Sequence, residues 1–146
     1  QPWWDPHARG TICGLTRGST AAHLARATIE SMAFQTRDVI NAMTSASGIA
    51  IEDLRVDGGA SVMDLLLQFQ ADQLGVTVRR PVDHETTALG AARLAGLAEG
   101  VWTSLDELAA DWELDAEFSP EPDRTMTDLA HQQWKRAVDR SLNWAG

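Results

Sequence analysis

The sequence of 146 residues has one cysteine and no long apolar segment. A single cysteine, Cys13, excludes an intramolecular disulfide, and its apolar neighbours in TICGL predict a small core residue rather than a nucleophile. No apolar run approaches the roughly 20 residues of a membrane-spanning helix, and residues 1–10 lack the pattern of a secretory signal. We therefore expect a cytoplasmic location. The start at Gln-Pro rather than Met predicts a piece of a longer gene product.

Basic residues are scarce, with 12 Lys and Arg against 21 Asp and Glu and a net charge of −9. Nucleic-acid binding depends on clustered Lys and Arg that release counterions, so this composition argues against it. The acidity is concentrated in residues 104–123, which hold eight acidic side chains and no Lys or Arg. Such a segment is either solvated surface, the commoner case, or a docking patch for a basic partner.

Apolar residues make up 44% of the chain and charged residues 23%, which is typical of a folded domain with a real core. Residues 11–15 predict a short strand. A long helix is expected from Ser19 or Thr20, which would cap its start, to a point just before Gly48. Residues 54–57 predict a second strand.

The remaining pattern continues this alternation. A helix is predicted to begin near Ser61, a strand to span residues 76–80, and a further helix to be capped by Thr86 or Thr87. Strands that alternate with helices indicate a parallel α/β sheet. We expect residues 1–103 to form this core, and residues 104–146 to add an acidic connection and a final helix of the same domain.

The final helix is expected to be amphipathic and to span about residues 123–144. Its predicted apolar face consists of Met126, Ala130, Trp134, Ala137 and Leu142.

Several motifs of known chemistry are absent from the sequence. It contains no GxGxxG, no P-loop and no GxSxG, and HETT at residues 84–87 lacks the second histidine of a zinc hydrolase. The histidines are scattered and no cysteine lies near them, so we predict no metal site.

The glycine pair Gly58 and Gly59 follows a predicted strand and precedes a helix. In open α/β sheets the ligand site lies beyond the carboxyl ends of the strands. Glycine permits unusual backbone angles and close approach of a ligand, and a helix start near Ser61 would direct amides at an anion. Taken alone, the pair is either a tight turn or a nucleotide or phosphate site.

Three segments together resemble one family. GTICGLTRGSTAAHLARATIE, LRVDGGAS and TALGAARLAGLAEGVW are similar to the carboxyl-terminal part of the glycerol kinases, within the carbohydrate kinases of the actin and hexokinase ATPase fold. QFQADQLGVTVRRP is also more similar to glycerol kinases than to xylulose or gluconate kinases. The resemblance implies a partial second lobe of a ribonuclease H-like fold, with a mixed sheet, helices on it and a C-terminal helix.

The same resemblance implies transfer of the terminal phosphoryl group of Mg-ATP to glycerol, giving sn-glycerol 3-phosphate and ADP. The cofactors are then ATP and Mg²⁺, and the full-length protein is expected to be a homo-oligomer with no nucleic-acid or membrane partner. In the family the catalytic aspartate, the glycerol contacts and the phosphate loop lie upstream. We therefore assign no catalytic or metal residue here, and expect the isolated chain to be inactive.

The resemblance also implies a nucleotide site at the glycine pair. Adenosine would lie against the backbone of Gly58 and Gly59, with Ala60 at the edge of the pocket. Met63 stands where many glycerol kinases carry an asparagine that contacts the base; methionine donates no hydrogen bond, but its thioether packs on aromatic rings. Asp57 either faces the ribose or caps the turn.

Two other classes share these features. One is a sibling kinase that acts on a pentulose or gluconate. The other is a non-catalytic actin-like module that binds a nucleotide or a partner without phosphoryl transfer. The upstream polyol pocket and the catalytic aspartate would distinguish them.

Overall fold

A computed structural model describes residues 4–145 of the chain. Helix α1 spans Ala21–Ser47, strand β1 Asp53–Arg55, helix α2 Asp64–Leu74, strand β2 Thr77–Pro81, helix α3 Thr86–Ala98, helix α4 Leu105–Ala110, strand β3 Leu114–Phe118 and helix α5 Thr125–Ser141. A short 3₁₀ turn, Gly59–Val62, lies between β1 and α2. None of the helices in this described range is long and apolar enough to cross a membrane.

The three strands form one mixed sheet in the order β1-β2-β3. β1 and β2 are parallel, with Leu54 opposite Val78, whereas β2 and β3 are antiparallel, with Val78 opposite Phe118. The parallel sheet expected from the alternation is thus correct for the first pair and wrong for the second. The mixed sheet that the resemblance implied is confirmed.

Residues 11–15 do not form the predicted strand. They are exposed and lack regular structure, with Ile12 65% and Leu15 59% accessible to solvent. A strand exists only through hydrogen bonds to a neighbour, and no strand among residues 4–145 pairs with this segment. The prediction that Cys13 lies in a core is also wrong, because its thiol is exposed.

The third strand, β3, lies instead in the acidic segment, where an irregular connection was expected. Its carboxylates face the arginines of β2: Arg79 Nε donates to Glu117 at 2.8 Å, and Arg80 Nε donates to Asp115 at 2.6 Å. Opposite charges on directly paired strands stabilise a sheet. Part of the acidity is therefore neutralised within the fold and is not free for a basic partner.

Helix α1 confirms its predicted boundaries. Thr20 occupies the N-cap position, and its backbone N–H donates to His23 Nδ1 at 3.1 Å. Gly48 ends the helix in the left-handed conformation, with φ of 70°.

Other helix ends differ from the prediction. Helix α2 begins at Asp64 because the residues around Ser61 form the 3₁₀ turn. Helix α3 has Glu85 at its N-cap position, so both Thr86 and Thr87 lie inside the helix and neither caps it.

Helix α5 is shorter than predicted. The Asp123 carboxylate accepts the N–H of Thr125 and starts the helix there, while Leu142 stands beyond its last residue. Met126 is 72% exposed, so its assignment to the buried face is wrong.

The hydrophobic core lies between α1, α2 and β2. Its buried members are Ala33, Leu66, Leu67, Ala71 and Val78. Phe69 packs against this cluster and meets Phe34 edge to face, with ring centroids 5.4 Å apart.

A buried polar group joins α1 to α5. The Asp38 carboxylate accepts His131 Nε2–H at 2.8 Å and Trp134 Nε1–H at 2.7 Å, and Phe34 stacks on Trp134. Asp38 and His131 are only 6% and 3% exposed. Such groups are tolerated in an interior because each is hydrogen-bonded.

Stability at the contact between α1 and α5 should depend on pH. Burial lowers the pKa of His131 below its ordinary value of 6.5, against the opposing effect of Asp38, while Arg37 and Lys135 lower it further. Because the folded pKa lies below the unfolded one, the unfolded chain takes up the proton more readily. The stability from neutral His131 is therefore present above about pH 6.5 and is lost as pH falls towards the folded pKa.

His131→Gln keeps a neutral N–H donor near the position of Nε2 but removes the titration. We expect the intact protein to lose more thermal stability than this variant between pH 7.5 and pH 5.5, as measured by Tm at both values. Equal losses would contradict the assignment.

Candidate functional site

The chain beyond β1 reaches the same edge of the sheet as the chain beyond β2. Val56 N–H donates to Arg79 O at 3.0 Å and extends the parallel pairing past Arg55. Gly58 N–H then donates to His84 O at 2.9 Å. The glycine pair therefore lies just beyond the carboxyl ends of two parallel strands, which is where open α/β sheets bind their ligands.

Gly58 is required by the backbone. Its φ of 78° and ψ of 175° place it in a region that is essentially restricted to glycine. A Cβ at this position would have no heavy atom within 4 Å, so the constraint is conformational rather than steric.

Gly59 differs from its neighbour. It begins the 3₁₀ turn, is not among the glycines with positive φ, and a Cβ there would also have nothing within 4 Å. The described part of the chain thus leaves open the space above the Gly59 main chain. The described residues therefore give no steric reason for glycine at position 59, and such a reason would come from a ligand or from another part of the protein.

The turn is held by its own hydrogen bonds. Ser61, only 2% exposed, uses both its N–H and its Oγ to donate to Gly58 O, at 3.0 Å and 2.7 Å. Met63 N–H donates to Ala60 O at 3.2 Å, and Ala60 itself is exposed. The amides of Ser61 and Met63 are therefore used inside the turn, and the anion-binding helix start expected near Ser61 is not formed there.

Met63 connects the turn to the core. It is half-buried, precedes the first residue of α2 with extended backbone angles, and packs against the core cluster that includes Leu66 and Leu67. A contact between Met63 and a purine base stays a prediction.

Two polar side chains lie beside the turn. The Asp57 carboxylate is exposed and makes no hydrogen bond to the described residues, so it does not cap the turn. His84 Nδ1 is buried without a hydrogen-bond partner in this same part of the protein. A ribose contact of Asp57 stays a prediction.

Arg80 lies beside the turn as well, although the sequence pattern assigned it no role beyond membership of a predicted strand. The side chain is only 13% exposed. Its guanidinium donates to Ser61 O at 3.0 Å, to Asp64 Oδ1 at 2.8 Å and to Asp115 Oδ2 at 2.6 Å. These carboxylates, Asp64 foremost, raise the pKa of Arg80. The alternation of Glu113, Asp115 and Glu117 was the available signal for a strand that pairs with it.

Comparison with known proteins assigns the chain to a protein family. The model of the C-terminal domain of the FGGY family of carbohydrate kinases matches residues 1–99, and the chain belongs to that family. The fold class inferred from the three segments is thereby confirmed.

The most similar relatives include glycerol kinases. That of Petrotoga mobilis is 57% identical over 143 residues, which is 98% of this chain and 29% of the relative. Glycerol kinase 1 of Saccharolobus solfataricus is 54% identical over 144 residues, again 29% of its length. The chain thus spans less than a third of the relatives that it matches.

The fold of the chain is also similar to solved structures of glycerol and xylulose kinases. A crystal structure of Plasmodium falciparum glycerol kinase with ADP has a TM-score of 0.83 and 34% identity, covering 97% of this chain and 28% of that one. A ligand-bound xylulose kinase of Lactobacillus acidophilus has a TM-score of 0.72 and 25% identity, covering 96% of this chain and 29% of that one.

The two glycines should respond differently to the same substitution. Gly58→Ala should destabilise the nucleotide-free protein by about 1–3 kcal/mol, because alanine strains the backbone there. Gly59→Ala should change stability by less than about 0.5 kcal/mol. Denaturant unfolding of both variants measures the difference, and equal losses would show that Gly58 is not under special strain.

Proposed function

We propose that this chain supplies the adenosine side of the ATP cleft in a glycerol kinase, an enzyme that forms sn-glycerol 3-phosphate and ADP. The observation that carries the nucleotide assignment is the bare main chain at Gly59, open to solvent at the carboxyl edge of parallel strands. The relative solved with ADP shares this fold over nearly the whole chain. The glycerol assignment rests on identity to glycerol kinases of 54–57%.

In this proposal each residue of the turn has a separate task. Gly58 bends the backbone out of the sheet, and Gly59 offers a flat peptide surface to the ribose and base. Ala60 limits the pocket with a side chain of one carbon, and Met63 supplies an apolar contact to the base without a hydrogen bond. ATP supplies the phosphoryl group when it is bound.

Magnesium has no assigned ligand in this chain. Residues 4–145 contain no cluster of three or more His, Cys, Asp or Glu side chains that could hold a metal ion. We propose that Mg²⁺ arrives with the phosphates, and assign no step of this chain to it.

The remaining tasks fall to parts of the longer protein. The catalytic base, the glycerol contacts and the phosphate loop are assigned outside these residues, so the chain alone is proposed to have no glycerol-dependent ATP turnover. A cytoplasmic homo-oligomer is the proposed setting of the full-length enzyme.

A second candidate is a kinase for a pentulose or gluconate. Structures of xylulose and gluconate kinases from Lactobacillus acidophilus each match with a TM-score of 0.72 at 25% identity, so the nucleotide lobe alone does not set the sugar. Steady-state turnover of the full-length protein with glycerol, xylulose and gluconate decides between them. Preference for either sugar over glycerol would favour the second candidate.

Replacement of Gly59 by valine tests the nucleotide seat. In the full-length enzyme, Gly59→Val should raise the ATP KM at least about tenfold, because the side chain fills the space proposed for adenosine. The glycerol KM and the Tm should change little, and they serve as internal controls. An unaltered ATP KM would place the nucleotide elsewhere.

A further inference from the structure

We infer that Arg80 is a positioning residue for the nucleotide turn, holding residues 58–64 in the shape that the adenosine surface requires. This inference rests on the proposed function and deepens it. It concerns a side chain that lies beneath the turn and is not itself proposed to touch the nucleotide.

The hydrogen bonds of Arg80 connect three parts of the fold. From β2, one guanidinium nitrogen donates to Ser61 O in the turn at 3.0 Å and to Asp64 Oδ1 at the start of α2 at 2.8 Å. Nε donates to Asp115 Oδ2 on β3 at 2.6 Å. One side chain thus fixes the turn and the first residue of α2 to the middle and edge of the sheet.

The connection continues to the glycine pair. Ser61 accepts from Arg80 through its carbonyl, and donates to Gly58 O through both its N–H and its Oγ. Ser61 therefore connects Arg80 directly to the carbonyl of Gly58. A shift of Ser61 would move the peptide plane on which the nucleotide is proposed to lie.

Partial burial restricts the Arg80 side chain, while its partners Asp64 and Asp115 are 72% and 40% exposed. The Arg80 side chain is 13% exposed, and its guanidinium lies 5.7 Å from the ring centre of Phe118. Exposed ion pairs contribute little because water screens them and the side chains lose freedom. A planar guanidinium that is partly buried and has several fixed donors keeps its geometry, which a lysine does not reproduce.

Arg79 provides a matched control in the same strand. It donates to Asp53 Oδ2 on β1 and to Glu117 Oε2 on β3, and its side chain is 36% exposed. None of the hydrogen bonds found for Arg79 in the described structure reaches residues 58–64. The two arginines differ by one position, which places them on opposite faces of the sheet.

The kinetic test compares Arg80→Gln, Arg80→Lys and Arg79→Gln in the full-length enzyme. Arg80→Gln should raise the ATP KM about tenfold, the loss expected for charge-assisted hydrogen bonds. The kcat and the glycerol KM should change much less, Arg80→Lys should recover part of the loss, and Arg79→Gln should leave the ATP KM unchanged. A wild-type ATP KM in Arg80→Gln, or an equal rise in Arg79→Gln, would overturn the inference.

Hydrogen exchange without nucleotide separates this inference from the proposed function. The amides of residues 58–66 should exchange faster in Arg80→Gln than in wild type or Arg79→Gln, whether or not ATP binds at the turn. Asp64→Asn, at a side chain that is 72% exposed, should give a smaller increase without threatening the core. Unchanged exchange in the Arg80 and Asp64 variants would refute the positioning role. Absence of ADP binding to wild type would instead refute the proposed function.

Discussion

The parallel pairing of β1 with β2 is the constraint on which the candidate site depends. It brings the two chain segments that follow these strands to one edge, where Gly58 N–H donates to His84 O. Were the pairing antiparallel, the turns after the two strands would lie at opposite ends of the sheet. Val78 of β2 belongs to the same core cluster as Leu66 and Leu67 of α2, so the helix and the sheet fix the turn between them.

Charge is arranged around the same strands. β2 carries adjacent arginines on opposite faces, and each finds carboxylates on neighbouring elements. The net charge of −9 gives no hint of this, because it sums over the chain and hides local neutralisation. The exposed Arg79 pairs contribute little to stability because water screens them, whereas the Arg80 side chain is only 13% exposed.

The sequence predicted correctly those features that depend on residues close together in the chain. The start and end of α1 were readable because Thr20 and Gly48 act on the helix next to them. Pairing over distance was not readable: residues 11–15 have the composition of a strand but no partner here, whereas β3 finds one in spite of its charge. Arg80 was missed for the same reason, since its partners lie 16, 19 and 35 positions away.

The sequence predicted that the glycine pair follows a strand of the sheet, but it could not distinguish the role of Gly58 from that of Gly59. Only backbone angles show that Gly58 serves the chain itself, while Gly59 leaves space for another group. The structure also shows which polar groups around the turn are already engaged. The amides of Ser61 and Met63 bond within the turn, and the guanidinium of Arg80, the cation beneath it, is engaged by Ser61, Asp64 and Asp115. A phosphate needs unengaged donors or positive charge. None of these engaged groups is therefore available to a phosphate, and the proposed seat presents the exposed main chain of Gly59 and Ala60 to a ligand.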